Sequence, residues 1–134
     1  MTPGSARTDA EVVRGYWDHH KLASSSNREE RLKAEDLWWA WVVVNERMES
    51  DTASTAIDLL IKLAAAAPDD QALAYLGAGP VEDLLCARAT EVVDEVDNAA
   101  RADERFRTAL CCAWYDEHVP DDIAARLRRF GEPT

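Results

Sequence analysis

Four carboxylates, Glu91, Asp94, Glu95 and Asp97, crowd one short stretch of this chain. Glu91, Asp94 and Glu95 stand in the i, i+3, i+4 relation that brings side chains together on a helix. Carboxylates so placed can hold metals or move protons, but helical di-metal sites add histidines in Glu-x-x-His spacing, and none occurs here. Asp97 has Arg101, Asp103 has Arg107 and Asp122 has Arg126 four residues on, the spacing of intrahelical ion pairs. The cluster therefore reads as a solvated helix face, with a charged ridge for binding as the alternative, rather than as a catalytic centre. His19 and His20 follow Asp18, but neighbours on a helix diverge by about 100° and do not easily share one ion. His118 is distant in sequence. Cys86, Cys111 and Cys112 lack metal-ligand spacing and sit in apolar helical contexts, as reduced thiols of a cytosolic protein do. No nucleophile-elbow motif is present. The expectation is no catalytic residue, no metal and no cofactor.

Gly77-Ala-Gly79-Pro80 invites comparison with a phosphate-binding loop. Such loops need free backbone N–H groups and usually a Lys at the helix start. Pro80 removes one donor, and Glu82 and Asp83 repel a phosphate. The segment reads instead as a tight helix–helix corner, with Gly77 as a C-cap, Gly79 as an N-cap and Pro80 at the first helical position.

These residues must be positioned by helices. Alanine is abundant, Gly and Pro number five each, and no sustained alternation of apolar and polar residues marks a strand. Helical periodicity covers about residues 8–23, 28–50, 52–67, 69–76, 81–88, 90–102 and 103–115, with a last helix from about Pro120 to Phe130-Gly131. Thr8 or Asp9 can cap the first helix and Asn27 the second. Ile57, Leu60, Ile61 and Ala64 stripe the third, with Leu59 and Leu63 beside them. Phe106, Ala109, Leu110, Ala113 and Trp114 supply the seventh's apolar face. The fold class is all-α: about seven or eight short antiparallel helices, in a HEAT-like array or a compact bundle. Residues 1–8 read as a flexible tail and 9–134 as one domain, with a peripheral helix 9–23 and a core 28–131.

The net charge is −11. Residues 1–50 carry 7 basic and 9 acidic side chains, and residues 51–134 carry 8 and 17. An acidic second half disfavours nucleic acid and anionic membranes as partners and suits a basic protein surface. No apolar run approaches the ~20 residues of a membrane span, and no signal peptide precedes the first helix, so the expected location is cytoplasmic.

Two segments carry a resemblance. Ala67-Pro-Asp-Asp-Gln-Ala-Leu-Ala-Tyr-Leu-Gly-Ala-Gly-Pro-Val-Glu-Asp-Leu-Leu85 and Glu104-Arg-Phe-Arg-Thr-Ala-Leu-Cys-Cys-Ala-Trp114 are similar to a bacterial family of unknown function, domain of unknown function 6869. The match covers roughly residues 37–130, leaving the first helix outside. The resemblance implies a small bacterial helical domain and carries over no catalytic residue.

The leading expectation is a non-enzymatic, acidic interaction protein, immunity-like or an adaptor. It would bind another protein through Glu91, Asp94, Glu95 and Asp97, with Trp39 as a partner-site candidate because tryptophan is enriched at binding hot spots. A small-molecule or cryptic enzymatic pocket lined by Trp38, Trp41, Trp114 and Tyr115 is the alternative. Self-association through Trp39 or the first helix is a third possibility.

Overall fold

The structure is a computed structural model that describes residues 7–131. The first eight residues were expected to form a tail; of these, 1–6 lie outside the described residues, while Thr8 caps the first helix. Every regular element is helical, and no strand occurs among the described residues. Among the described residues there are six continuous helical runs: α1 (Asp9–Ala23), α2 (28–50), α3 (Ala53–Ala66), α4 (70–102), α5 (Glu104–Leu110) and α6 (Asp121–Arg128). The run count is lower than expected because residues 70–102, read in the sequence as three helices, form one path.

The chain divides into two compact units, one ending at Arg47 and the other beginning at Met48, a boundary inside α2. In the first unit, Thr8 accepts from the Glu11 N–H while the Glu11 carboxylate accepts from the Thr8 N–H, a closed capping box that starts α1. Asn27 Oδ1 accepts from the Glu29 N–H at 2.8 Å and starts α2. A 3-10 turn at Glu35–Leu37 interrupts α2. Gly15 lets α1 meet this helix closely: a Cβ there would stand 2.9 Å from both Ala40 Cβ and the Trp39 ring. Arg47 closes the pair through Asp9 at 2.6 Å.

In the second unit, Thr52 caps α3, and Leu59, Leu60, Leu63 and Ala64 are fully buried. Ile61, expected in the same stripe, is only half-buried. Asp58 and Lys62 form the expected i,i+4 pair at 2.9 Å.

The Gly77–Pro80 stretch is not a corner. Gly77 has φ −63°, a right-handed helical value, so it serves as no left-handed cap. Gly77–Val81 is a π turn in which helical structure continues through Pro80. The wider turn accommodates the missing proline donor that would break an α-helix. Gly77 is required for a different reason: α4 crosses α5 here so tightly that a Cβ would run into the Ala109 carbonyl. The path kinks instead at Arg88 (φ −140°, ψ 32°), where the sequence had placed a helix end, and continues to Ala102.

Arginines tie the ends of these helices together. Arg88 donates to the Met48 and Asp51 carbonyls at 2.8 and 2.7 Å, and Arg105 to the Ala64 and Ala67 carbonyls at 2.8 and 2.6 Å. Arg107 reaches the Ala100 carbonyl at 2.9 Å. Each places a cation on carbonyls at or just past a helix C-terminus, where the helix dipole favours it. The expected Asp103–Arg107 pair is replaced accordingly: Asp103 caps α5 by accepting from the Phe106 N–H.

Candidate functional site

The four ridge carboxylates do not form one free acidic surface. Asp97 is buried, with 1% exposure, and Arg101, Arg126 and Arg129 converge on it. Arg101 Nε lies 2.9 Å from Oδ1, Arg126 Nε lies 2.6 Å from Oδ2, and Arg129 also reaches Oδ1. Burial acts to raise the Asp97 pKa. The Arg126 hydrogen bond and the charges of Arg101, Arg129 and Arg126 outweigh it and hold the carboxyl below its ordinary value. The expected Asp122–Arg126 helical pair gives way to this cluster, in which Arg126 also reaches Asp94 at 2.9 Å. Bonds to Asp97 and Asp94 in turn push the Arg126 pKa up. Asp97 is therefore a structural anchor for α6, and its assignment as a surface binding residue is corrected. Glu91 pairs with Arg88. Of the four, Glu95 alone has no ion pair among the described residues; it edges a shallow groove of about 290 Å³ with Ile57, Asp58, Ile61 and Asn98.

Arg128 completes the pattern. It lies 2.8 Å from Asp116, donates to the Ala113 carbonyl at 2.9 Å, and places its guanidinium 4.0 Å from the Tyr115 ring centre. These bonds hold residues 111–120, which were expected to continue a helix to Tyr115. Helix α5 stops at Leu110 because tertiary partners take over: Arg128 takes the Ala113 carbonyl, and Glu82 Oε1 accepts the Trp114 N–H at 2.7 Å. Tyr115 is fully buried, whereas Trp114, expected on the apolar face, is 62% exposed. The polar run Asp116-Glu117-His118 before Pro120 was the available signal for this loop.

All seven arginines from Arg88 to Arg129 are thus engaged within the fold, and Lys62, the remaining base after residue 50, pairs with Asp58. Asp70, Asp83, Glu95, Glu104 and Glu117 have no ion pair among the described residues. The charge left on this unit's surface is acidic.

Trp39 is not the exposed tryptophan of α2. It is half-buried beside Gly15, with the Arg7 guanidinium 3.5 Å from its ring centre. Trp38 is exposed at 48% and stacks on Trp41 at 4.3 Å. One face of Trp38 borders a cleft of about 390 Å³ with His19, Ala23, Arg31, Ala34 and Glu35. The aromatic lining expected for a pocket is thus present only in part: Trp38 borders this cleft, and Tyr115 is packed inside the other unit. Burial, then the His20 charge, lowers the His19 pKa and favours the neutral ring.

No group of three His, Cys, Asp or Glu side chains able to hold a metal occurs among the described residues. The three cysteines are free and half-buried. Burial first raises each thiol pKa, with Glu82 and Asp83 adding to it at Cys86. Such thiols are poor nucleophiles. No described helix is long and apolar enough to cross a membrane.

A family model described as a family of unknown function (DUF6869) matches residues 27–132. The chain belongs to the DUF6869 family. The matched span covers the acidic cluster, the Gly77–Pro80 π turn and the Trp114 loop, while α1 lies outside this DUF6869 region. No curated protein and no solved structure matches the chain.

Proposed function

We propose that this DUF6869 protein is a non-enzymatic interaction module of a bacterial cytoplasm that binds a basic surface of another protein. One observation carries the reading: each lysine and arginine after residue 50 is paired within the chain, while several carboxylates there remain without an ion pair among the described residues. A surface of that kind attracts cationic partners and repels anionic ones. Immunity proteins that cover the basic site of a toxin are an analogy of size and charge. Affinity capture on the full chain from a lysate of the source cells, at low and high salt, tests the reading. A basic protein held at low salt and released at high salt supports it; a partner with an acidic surface contradicts it.

The cleft beside Trp38 favours a second reading. A small aromatic acid would stack on the indole and pair with Arg31. Thermal-shift screening with aromatic acids tests this, with loss of any shift in Trp38→Ala as the required control.

A further inference from the structure

An exposed indole and a carboxylate meet at residue 114. The Trp114 indole is 62% exposed, yet its backbone is held on both sides. Its N–H donates to Glu82, the preceding carbonyl accepts from Arg128, and the following residue, Tyr115, is fully buried beneath the Arg128 guanidinium. An indole held in this way is presented to solvent in a fixed place. The same loop crosses α4 at Gly77, where Cys112 approaches closely. Glu82 and Asp83 add two adjacent carboxylates with no ion pair among the described residues. Burial, then the Glu82 charge, raises the Asp83 pKa.

We propose that Trp114, with the Glu82 carboxylate bound at its backbone, forms the docking site for an arginine- or lysine-bearing segment of a partner protein, with Asp83 adding negative charge on the same helical turn. The aliphatic stem lies along the exposed indole, and the cationic head meets the indole face and the Glu82 carboxylate. A guanidinium satisfies both at once, because it stacks on aromatic faces and pairs with carboxylates. Tryptophan is the side chain most suited to anchor such a contact. A second copy of this chain fits less well, since two chains of net charge −11 repel. This inference rests on the interaction-module reading and locates its contact.

The test is an NMR titration of the full-length, nitrogen-15-labelled chain with a capped oligo-arginine peptide at low salt. The chain has five tryptophans, and Trp114→Phe assigns the relevant indole signal. The Trp114 indole signal shifts and saturates, while that of buried Trp17 stays in place. Trp114→Ala, and Glu82→Gln with Asp83→Asn, each weaken binding about tenfold, whereas Asp94→Asn with Glu95→Gln changes it less than about twofold. In Glu82→Gln the amide oxygen still accepts the Trp114 N–H, so that variant keeps the loop anchored. Circular dichroism confirms the fold of each variant. Binding lost only when Asp94 and Glu95 are neutralised, or weakened equally in all variants, overturns this site and leaves the acidic-module reading standing. No saturable binding anywhere overturns both. A dimer by light scattering that Trp114→Ala abolishes assigns the face to a second copy and overturns the proposed occupant.

Discussion

Asp97→Asn keeps the shape of the side chain and removes the charge on which three arginines converge. A fully shielded carboxylate would lose about 1.5–3 kcal/mol for every charged hydrogen bond it gave up. Here Arg101, Arg126 and Arg129 are 60%, 38% and 44% exposed, so they rehydrate when the carboxylate is lost and much of that sum is recovered in solvent. The asparagine oxygen still accepts one bond. The expected net loss for the variant is about 2–3 kcal/mol. An unfolding entropy of ~0.3 kcal/mol/K for a chain of this length turns that into a fall in Tm of about 7–10 °C. Differential scanning calorimetry reads it, and amide exchange localises it as faster exchange in α6. The pH dependence has a definite sign. The folded pKa of Asp97 lies below its unfolded value, so its stabilisation is full above about pH 3.9 and is lost as pH falls through the folded pKa. The gap between wild type and variant is therefore widest near neutrality and closes in strong acid. A variant melting within about 2 °C of wild type at pH 7, or a gap that persists unchanged below about pH 3, would refute the anchoring role.

Further variants probe the packing. Gly77→Ala forces a Cβ into the Ala109 carbonyl and should cost about 1–3 kcal/mol, whereas Gly79→Ala meets open space and should be neutral or stabilising by up to about 1 kcal/mol; paired urea melts compare them. Leu60→Ala should cost about 2–5 kcal/mol, and an equal or larger loss for Ile61→Ala would contradict the burial pattern. Arg105→Gln releases the carbonyls of Ala64 and Ala67 and should speed amide exchange in the last turn of α3, with a loss of about 1–3 kcal/mol. Burial raises the pKa of all three thiols, so alkylation by iodoacetamide at neutral pH should be slower than for a free cysteine peptide.

Local rules carried much of this fold. Thr8 and Asn27 cap the helices that the sequence assigned to them, Asp58 meets Lys62, and the kink at Arg88 falls where periodicity changed. Errors arose where distant residues outcompeted local ones. Arg126 had Asp122 four residues back and instead joined Asp94 and Asp97 across the fold. A buried carboxylate met by three arginines leaves no mark in a helical spacing. Gly77 has the identity of a helix cap but was required by a helix crossing, which spacing alone does not reveal. Adjacent tryptophans were equally opaque: which of Trp38 and Trp39 faces outward depends on the register of α1 against α2, set by Gly15. Trp114 was expected on the apolar face because it continues the pattern of α5 past the point where Glu82 and Arg128 capture the chain.

The central claim is that the arginines after residue 50 are paired within the chain and the remaining surface charge recruits a basic protein. The salt dependence of affinity for the captured partner, measured by calorimetric titration with the full chain, tests it most directly. Affinity that falls steeply with rising salt, with a shallower slope when Glu82→Gln and Asp83→Asn are combined, is the predicted result. Affinity insensitive to salt, with the same slope in both proteins, would contradict it.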